Sequence, residues 1–127
     1  MEEIKHTINS DYSVRSPEFG DGEIREISFI YPDVTLRIFA PVEGRMLSIV
    51  MTKVDYFSFV TDHSQNVIER VVIYPDLPSM GTQKEHFLER FSLKNVRLGD
   101  DKIVFIEPIA GPTLLCFCRD VKICADA

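Results

Sequence analysis

Val34-Thr35-Leu36-Arg37-Ile38-Phe39-Ala40 is the stretch that decides the fold. Alternate side chains of an extended chain point to opposite faces, so Val34, Leu36, Ile38 and Ala40 share one face and Thr35 and Arg37 the other, which predicts a half-buried strand. Turn formers flank it, Pro32-Asp33 before and Pro41-Val42-Glu43-Gly44 after. Upstream, the turn-dense Ser16-Pro17-Glu18-Phe19-Gly20-Asp21-Gly22 leads into a strand starting near Glu23, with Ile27, Phe29 and Tyr31 on one face. Downstream, residues 45–52 alternate through Leu47, Ile49 and Met51, and residues 53–60 set Tyr56 and Ser58 opposite Phe57 and Phe59. The polar loop at residues 61–66 then precedes a fifth strand over residues 67–74. Parallel strands need crossovers of a dozen residues or more, and these turns leave no room for them, so the spacing predicts an antiparallel meander.

The character of the chain changes at Pro75-Asp76-Leu77-Pro78-Ser79-Met80-Gly81, where two prolines remove ladder donors. Thr82-Gln83-Lys84-Glu85 fits a capping box, and Phe87, Leu88 and Phe91 fall on one side of a short helix that should lie on the sheet. Three further β-like runs follow at residues 102–107, 113–119 and 121–124, for an upper count of eight strands. The fold class expected is mainly β (α+β): an antiparallel meander curled into a sandwich or partly open barrel with one helix packed on it. The 127 residues, 45% hydrophobic and 27% charged, suit one β-rich domain over residues 1–127, with no linker to separate two cores.

Charge and cysteine usage narrow the function. Lys and Arg number 14 and Asp and Glu 20, a net charge of −6, and no basic cluster offers a stripe for a phosphate backbone, which argues against nucleic acid. The imbalance sits in residues 1–63, with 6 basic and 11 acidic side chains, against 8 and 9 in residues 64–127. An acidic half can steer toward a basic partner. No run approaches the ~20 apolar residues of a membrane span, and the acidic Met1-Glu2-Glu3-Ile4-Lys5-His6 lacks the basic head and apolar stretch of a secretion signal, so a cytoplasmic protein is expected. Cys116, Cys118 and Cys124 are an odd number in an unsignalled chain, which speaks against a disulfide framework. With Leu114, the first two form an apolar row on one strand face, and a lone C-x-C is not a metal-ligand spacing, so buried thiols with raised pKa are expected and no metal or other cofactor.

Catalytic patterns are sparse. The six glycines form no phosphate-cradling motif, and no nucleophile elbow or paired-histidine helix is present. Asp62-His63-Ser64 holds an acid, an imidazole and a hydroxyl in succession, but triad residues converge from separate elements, so a hydrogen-bonded turn is expected there. His6 and His86 read as solvated or core-edge histidines, and Asp100-Asp101 as a solvated turn. Glu107, between Ile106 and Pro108 after an apolar run, is the one acid expected to be partly buried and perturbed. No catalytic residue is assigned, and the binding residues are left open.

Phe19-Gly20-Asp21-Gly22-Glu23-Ile24-Arg25-Glu26-Ile27 opening a strand, the stretch at residues 34–40, and Asn66-Val67-Ile68 after an aromatic strand form an ordered series. Ile106-Glu107-Pro108-Ile109-Ala110-Gly111-Pro112 and Arg119-Asp120-Val121-Lys122-Ile123 continue it. Over about residues 18–124 this series resembles small β-rich bacterial domains, among them immunity proteins of polymorphic toxin systems. The resemblance implies a non-enzymatic domain that binds a toxin, and carries over no functional residue. Two alternatives stand beside it: a small-ligand-binding or enzymatic barrel with Tyr56, His63 and Glu107 in its interior, and a structural subunit that pairs an exposed edge strand with its own copy in a homodimer.

Overall fold

The computed structural model describes residues 1–60, 67–82, 84–85, 89, 101–110 and 113–126, without the side chains of residues 109–110. Nine strands are present among them: β1 (Glu2–Ile4), β2 (Thr7–Ile8), β3 (Val14–Ser16), β4 (Gly22–Ile30), β5 (Asp33–Ala40), β6 (Arg45–Val60), β7 (Val67–Tyr74), β8 (Lys102–Ala110) and β9 (Thr113–Ala125). The expected upper count of eight is exceeded because the polar lead-in holds three short strands. Two expected pairs of strands are each one continuous strand, β6 and β9. Of the expected helix, Lys84, Glu85 and Glu89 are described and helical, and Phe87, Leu88 and Phe91 lie outside the described residues. Among the described residues no helix is long and apolar enough to cross a membrane.

The sheet is antiparallel throughout and closes into a ring, in the order β4-β5-β6-β9-β8-β7 with β7 returning to β4. β4, β5 and β6 form the expected meander, whereas β7 pairs with β8 and β4 rather than with β6. Closure between β4 and β7 rests on two register pairs, Gly22↔Ile68 and Glu23↔Val67. Gly22 suits that junction: a Cβ there would stand 2.6 Å from the Phe19 carbonyl oxygen and 3.1 Å from an Ile38 methyl.

β6 and β9, 16 and 13 residues long, pair from Leu47↔Ala125 to Val60↔Thr113 and turn one corner of the ring together. Lys53 has a φ of 50° and the register shifts between Val54 and Tyr56. There the inward side changes from Met51 to Val54 on β6 and from Val121 to Cys118 on β9. A bend of this kind lets one strand pair serve two sheets packed face to face. β9 gives its other edge to β8 before the corner, from Leu114 to Cys118, and to β1 beyond it, from Ile123 to Ala125.

Two apolar clusters result. The ring interior is filled by side chains that include Leu36, Ile38, Leu47, Ile49, Val104 and Ile106, all fully buried. Interiors of barrels this small hold side chains and little else. A second cluster lies outside the ring on β7, β8 and the start of β9, built from Val72, Ile103, Phe105, Leu115 and Phe117 and packed by Tyr12, Tyr56, Leu77 and Met80. β8 and the start of β9 are therefore buried on both faces, which accounts for their unbroken apolar runs.

Candidate functional site

Among the described residues, the groups expected to carry chemistry do not converge. Tyr56 packs in the outer cluster, its ring 5.5 Å from Phe117, and Glu107 on β8 faces Arg70 across β7. Neither enters the ring interior, and His63, with Asp62 and Ser64, lies outside the described residues. His86 and Asp100 lie outside them as well. His6, between β1 and β2, borders a groove of about 290 Å³ shared with Ile8, Tyr12, Ile73, Pro75 and Lys102. Asp101, read as solvated, is instead 5% exposed, immediately before β8.

The three cysteines are free and buried. Cys116 and Cys118 lie in the interior cluster with Leu114, as the alternation predicts, and contact with Cys118 together with burial raises the Cys116 thiol far above its ordinary value. Cys124 is in register with Ser48 and Glu3 on the opposite face of β9. Among the described residues no three of His, Cys, Asp and Glu are gathered as metal ligands.

Glu107 is half-buried, as the sequence predicts, and its partner explains it. Arg70 Nε donates to Glu107, and Arg70 NH1 donates to Asp11 at 2.9 Å. Asp11 also accepts from the Ser13 hydroxyl and, at 3.0 Å, from the Ser13 amide. These hydrogen bonds, led by the hydroxyl, hold the Asp11 carboxyl below its ordinary 3.8, with Arg70 adding to the effect. The β2–β3 hairpin is fastened to β7 by this network, by the Ser13↔Val72 bridge and by the Ile73 amide donating to the Tyr12 carbonyl at 2.9 Å. With both carboxylates turned to one guanidinium, the cluster is a clasp.

One exposed stretch is apolar. Phe29, Ile30 and Tyr31 end β4 and enter its turn, with 62%, 75% and 94% of their surface exposed. The strand face shared by Ile27, Phe29 and Tyr31 is therefore half-buried at Ile27 and exposed beyond it. β4 and β5 meet in a hairpin closed by Ile30↔Asp33, one residue beyond the last β5–β6 pair at Val34↔Met51. Its tip leans on the later half of β6: the Phe29 and Phe57 rings meet edge to face at 5.1 Å, and the Val54 amide donates to the Pro32 carbonyl at 2.8 Å. Between them lies a groove of about 230 Å³ lined by Phe29, Tyr31, Pro32, Asp33, Val34, Val54 and Phe57. Alternation alone could not reveal this site, since an overhanging strand end repeats the pattern of a buried one. The turn at Pro32-Asp33 was the available signal, because it puts Tyr31 in a loop.

The charged groups at the groove are Asp33, Lys53 and Asp55. Asp33 forms part of its wall and Asp55 is exposed on the neighbouring strand. Arg25, Arg37 and Arg45 are each bridged to carboxylates. Comparison of the chain with protein-family models, with curated proteins and with solved structures finds no match.

Proposed function

We propose that this is a non-enzymatic protein-binding domain whose β4–β5 tip receives a basic partner protein, in the manner of an antidote that occupies a toxin. The exposed Phe29-Ile30-Tyr31 tip over an apolar groove carries the reading. Large apolar groups are costly to leave in water, and aromatic anchors beside a pocket are typical of the centre of an interface. Charge supplies the sign of the partner. Once the bridged pairs of residues 1–60 are set aside, the described carboxylates without an ion pair are Glu2, Glu3, Glu18, Asp21, Asp33 and Asp55, against Lys5, Arg15 and Lys53. A net negative field of this kind raises the association rate with a cationic surface.

Titration calorimetry against the purified proteins encoded by the neighbouring genes, basic ones first, tests the reading. A complex is expected that weakens as salt rises and weakens at least tenfold with Tyr31→Ala, about 1.4 kcal/mol. Absence of a complex, or one indifferent to both salt and Tyr31→Ala, would overturn it.

A further inference from the structure

Among the described residues, the later half of β6 is a sheet edge. Its pairing with β5 ends at Val34↔Met51, and the last bonds on that side are the Lys53 amide to Asp33 Oδ1 at 3.1 Å and the Val54 amide to the Pro32 carbonyl at 2.8 Å. From Asp55 to Val60 the described pairing is with β9 alone. Those six residues span roughly 20 Å of ladder with one edge unoccupied among the described residues. Native edges are usually blunted by lysine, proline, a bulge or an inward charge. Tyr56-Phe57-Ser58-Phe59-Val60 has no charge and no proline, its bulge lies before it, and Val60 is 59% exposed.

We infer that this edge pairs with the same edge of a second copy of the chain, joining two rings in a two-fold dimer. Residues directly opposite each other in an antiparallel pair point to the same face, which restricts the register. Centred on Ser58, the pairing sets Phe57 against the partner's Phe59, Tyr56 against the partner's Val60, and Ser58 against the partner's Ser58. Every opposition then matches a face the fold already distinguishes: Phe57 and Phe59 pack toward the interior cluster and Tyr56 toward the outer one. Aromatic–aromatic and aromatic–β-branched pairs are among the favourable cross-strand combinations. Asp55, the one charged residue of the edge, falls at opposite ends of the two strands, so the carboxylates do not confront each other. Centring on Phe57 would instead set Asp55 against Phe59. The edge is thus complementary to itself in one register, as an isologous interface requires. The inference goes beyond the function proposed above, and Tyr31 lies outside the paired strands.

Sedimentation equilibrium of the full chain from micromolar to millimolar concentration tests it, together with two substitutions at the symmetry axis. The mass is expected to rise from 14.6 kDa toward twice that value. Ser58→Lys faces two ammonium groups across the axis and is expected to raise the dissociation constant at least tenfold, with an unchanged circular dichroism spectrum. Ser58→Cys is expected to cross-link to its own copy under mild oxidation, because opposed Cβ atoms about 5 Å apart are near disulfide range. The native thiols are buried, and Val42→Cys, on the exposed β5–β6 turn, serves as the control. A constant mass of 14.6 kDa, or Ser58→Cys cross-linking no faster than Val42→Cys, would overturn the dimer whether or not Ser58→Lys folds. Tyr31→Ala is expected to leave the dimer intact, which separates this result from the fate of the partner-binding proposal.

Discussion

β5 and β8 border the same apolar interior, yet they are built on different rules. In β5, Val34, Leu36, Ile38 and Ala40 are buried and their neighbours are half-exposed, one residue in and one residue out. In β8, Ile103, Val104, Phe105 and Ile106 are all buried, two toward the interior and two toward the outer cluster. The difference is what lies on the far side: water over β5, and a layer that includes Tyr12, Leu77 and Met80 over β7, β8 and the start of β9. One side of the ring therefore tolerates change on its outward positions, and the other does not.

Aspartate at outward positions gives the sharpest contrast. Val72→Asp on β7 buries an unpaired carboxylate and is expected to cost more than about 4 kcal/mol, enough to abolish folding. Thr35→Asp on β5 leaves its carboxylate in water and is expected to cost about 1 kcal/mol or less. Soluble yield and urea midpoints of the two proteins check this, and equal losses would erase the distinction. Truncation of outward aromatic rings comes next. Phe117→Ala removes a buried ring packed on Tyr56 and is expected to cost ~3–5 kcal/mol in urea unfolding. Phe39→Ala removes a half-exposed ring stacked under Arg25 at 5.4 Å, with an expected cost of ~1 kcal/mol.

A smaller effect belongs to the clasp that fixes the β2–β3 hairpin over the doubly covered side. The folded state holds the Asp11 carboxyl below its ordinary 3.8, so its contribution to stability is complete above that value and is lost as pH falls through the depressed one. Asp11→Asn is expected to lower the urea midpoint at pH 7 and to converge on the parent protein in acid. A gap that stayed constant with pH would separate Asp11 from the clasp. The smallest effect is expected at Ser48 on β6. Its buried hydroxyl has no hydrogen-bond partner among the described residues. Ser48→Ala is expected to be neutral or stabilising by up to about 1 kcal/mol, measured by thermal unfolding.

The same contrast explains what could be read from the residues alone. β5 was legible because a strand between core and water writes its two faces in alternate letters. The runs at residues 103–106 and 114–118 carry no such period, so they marked strands only through their length and flanking prolines and glycines. β1, β2 and β3 are two or three residues long, and they exist because β9 offers an edge to Glu2–Ile4 and because β2 and β3 pair with each other. No local pattern announces such strands. The union of residues 45–60 into one strand was hidden for a related reason: the face reverses at Lys53, and alternation that changes phase reads as two strands. Cys116 and Cys118 were placed correctly in the interior from their spacing with Leu114. The Arg70–Glu107 contact joins residues 37 apart, beyond the reach of any local period. The exposed tip at Phe29-Ile30-Tyr31 depends on how far β4 extends past its two-pair junction with β7, which only the closed sheet determines.

β9 touches β1, β6 and β8, so three strands take a partner from the segment Thr113–Ala125. During synthesis on the ribosome, every earlier strand emerges before the one that locks them together. The nascent chain must therefore carry long apolar edges until this segment leaves the exit tunnel. Folding is thereby deferred to a single late event, and the interval before it is when the molecule is most open to capture by chaperones or to aggregation.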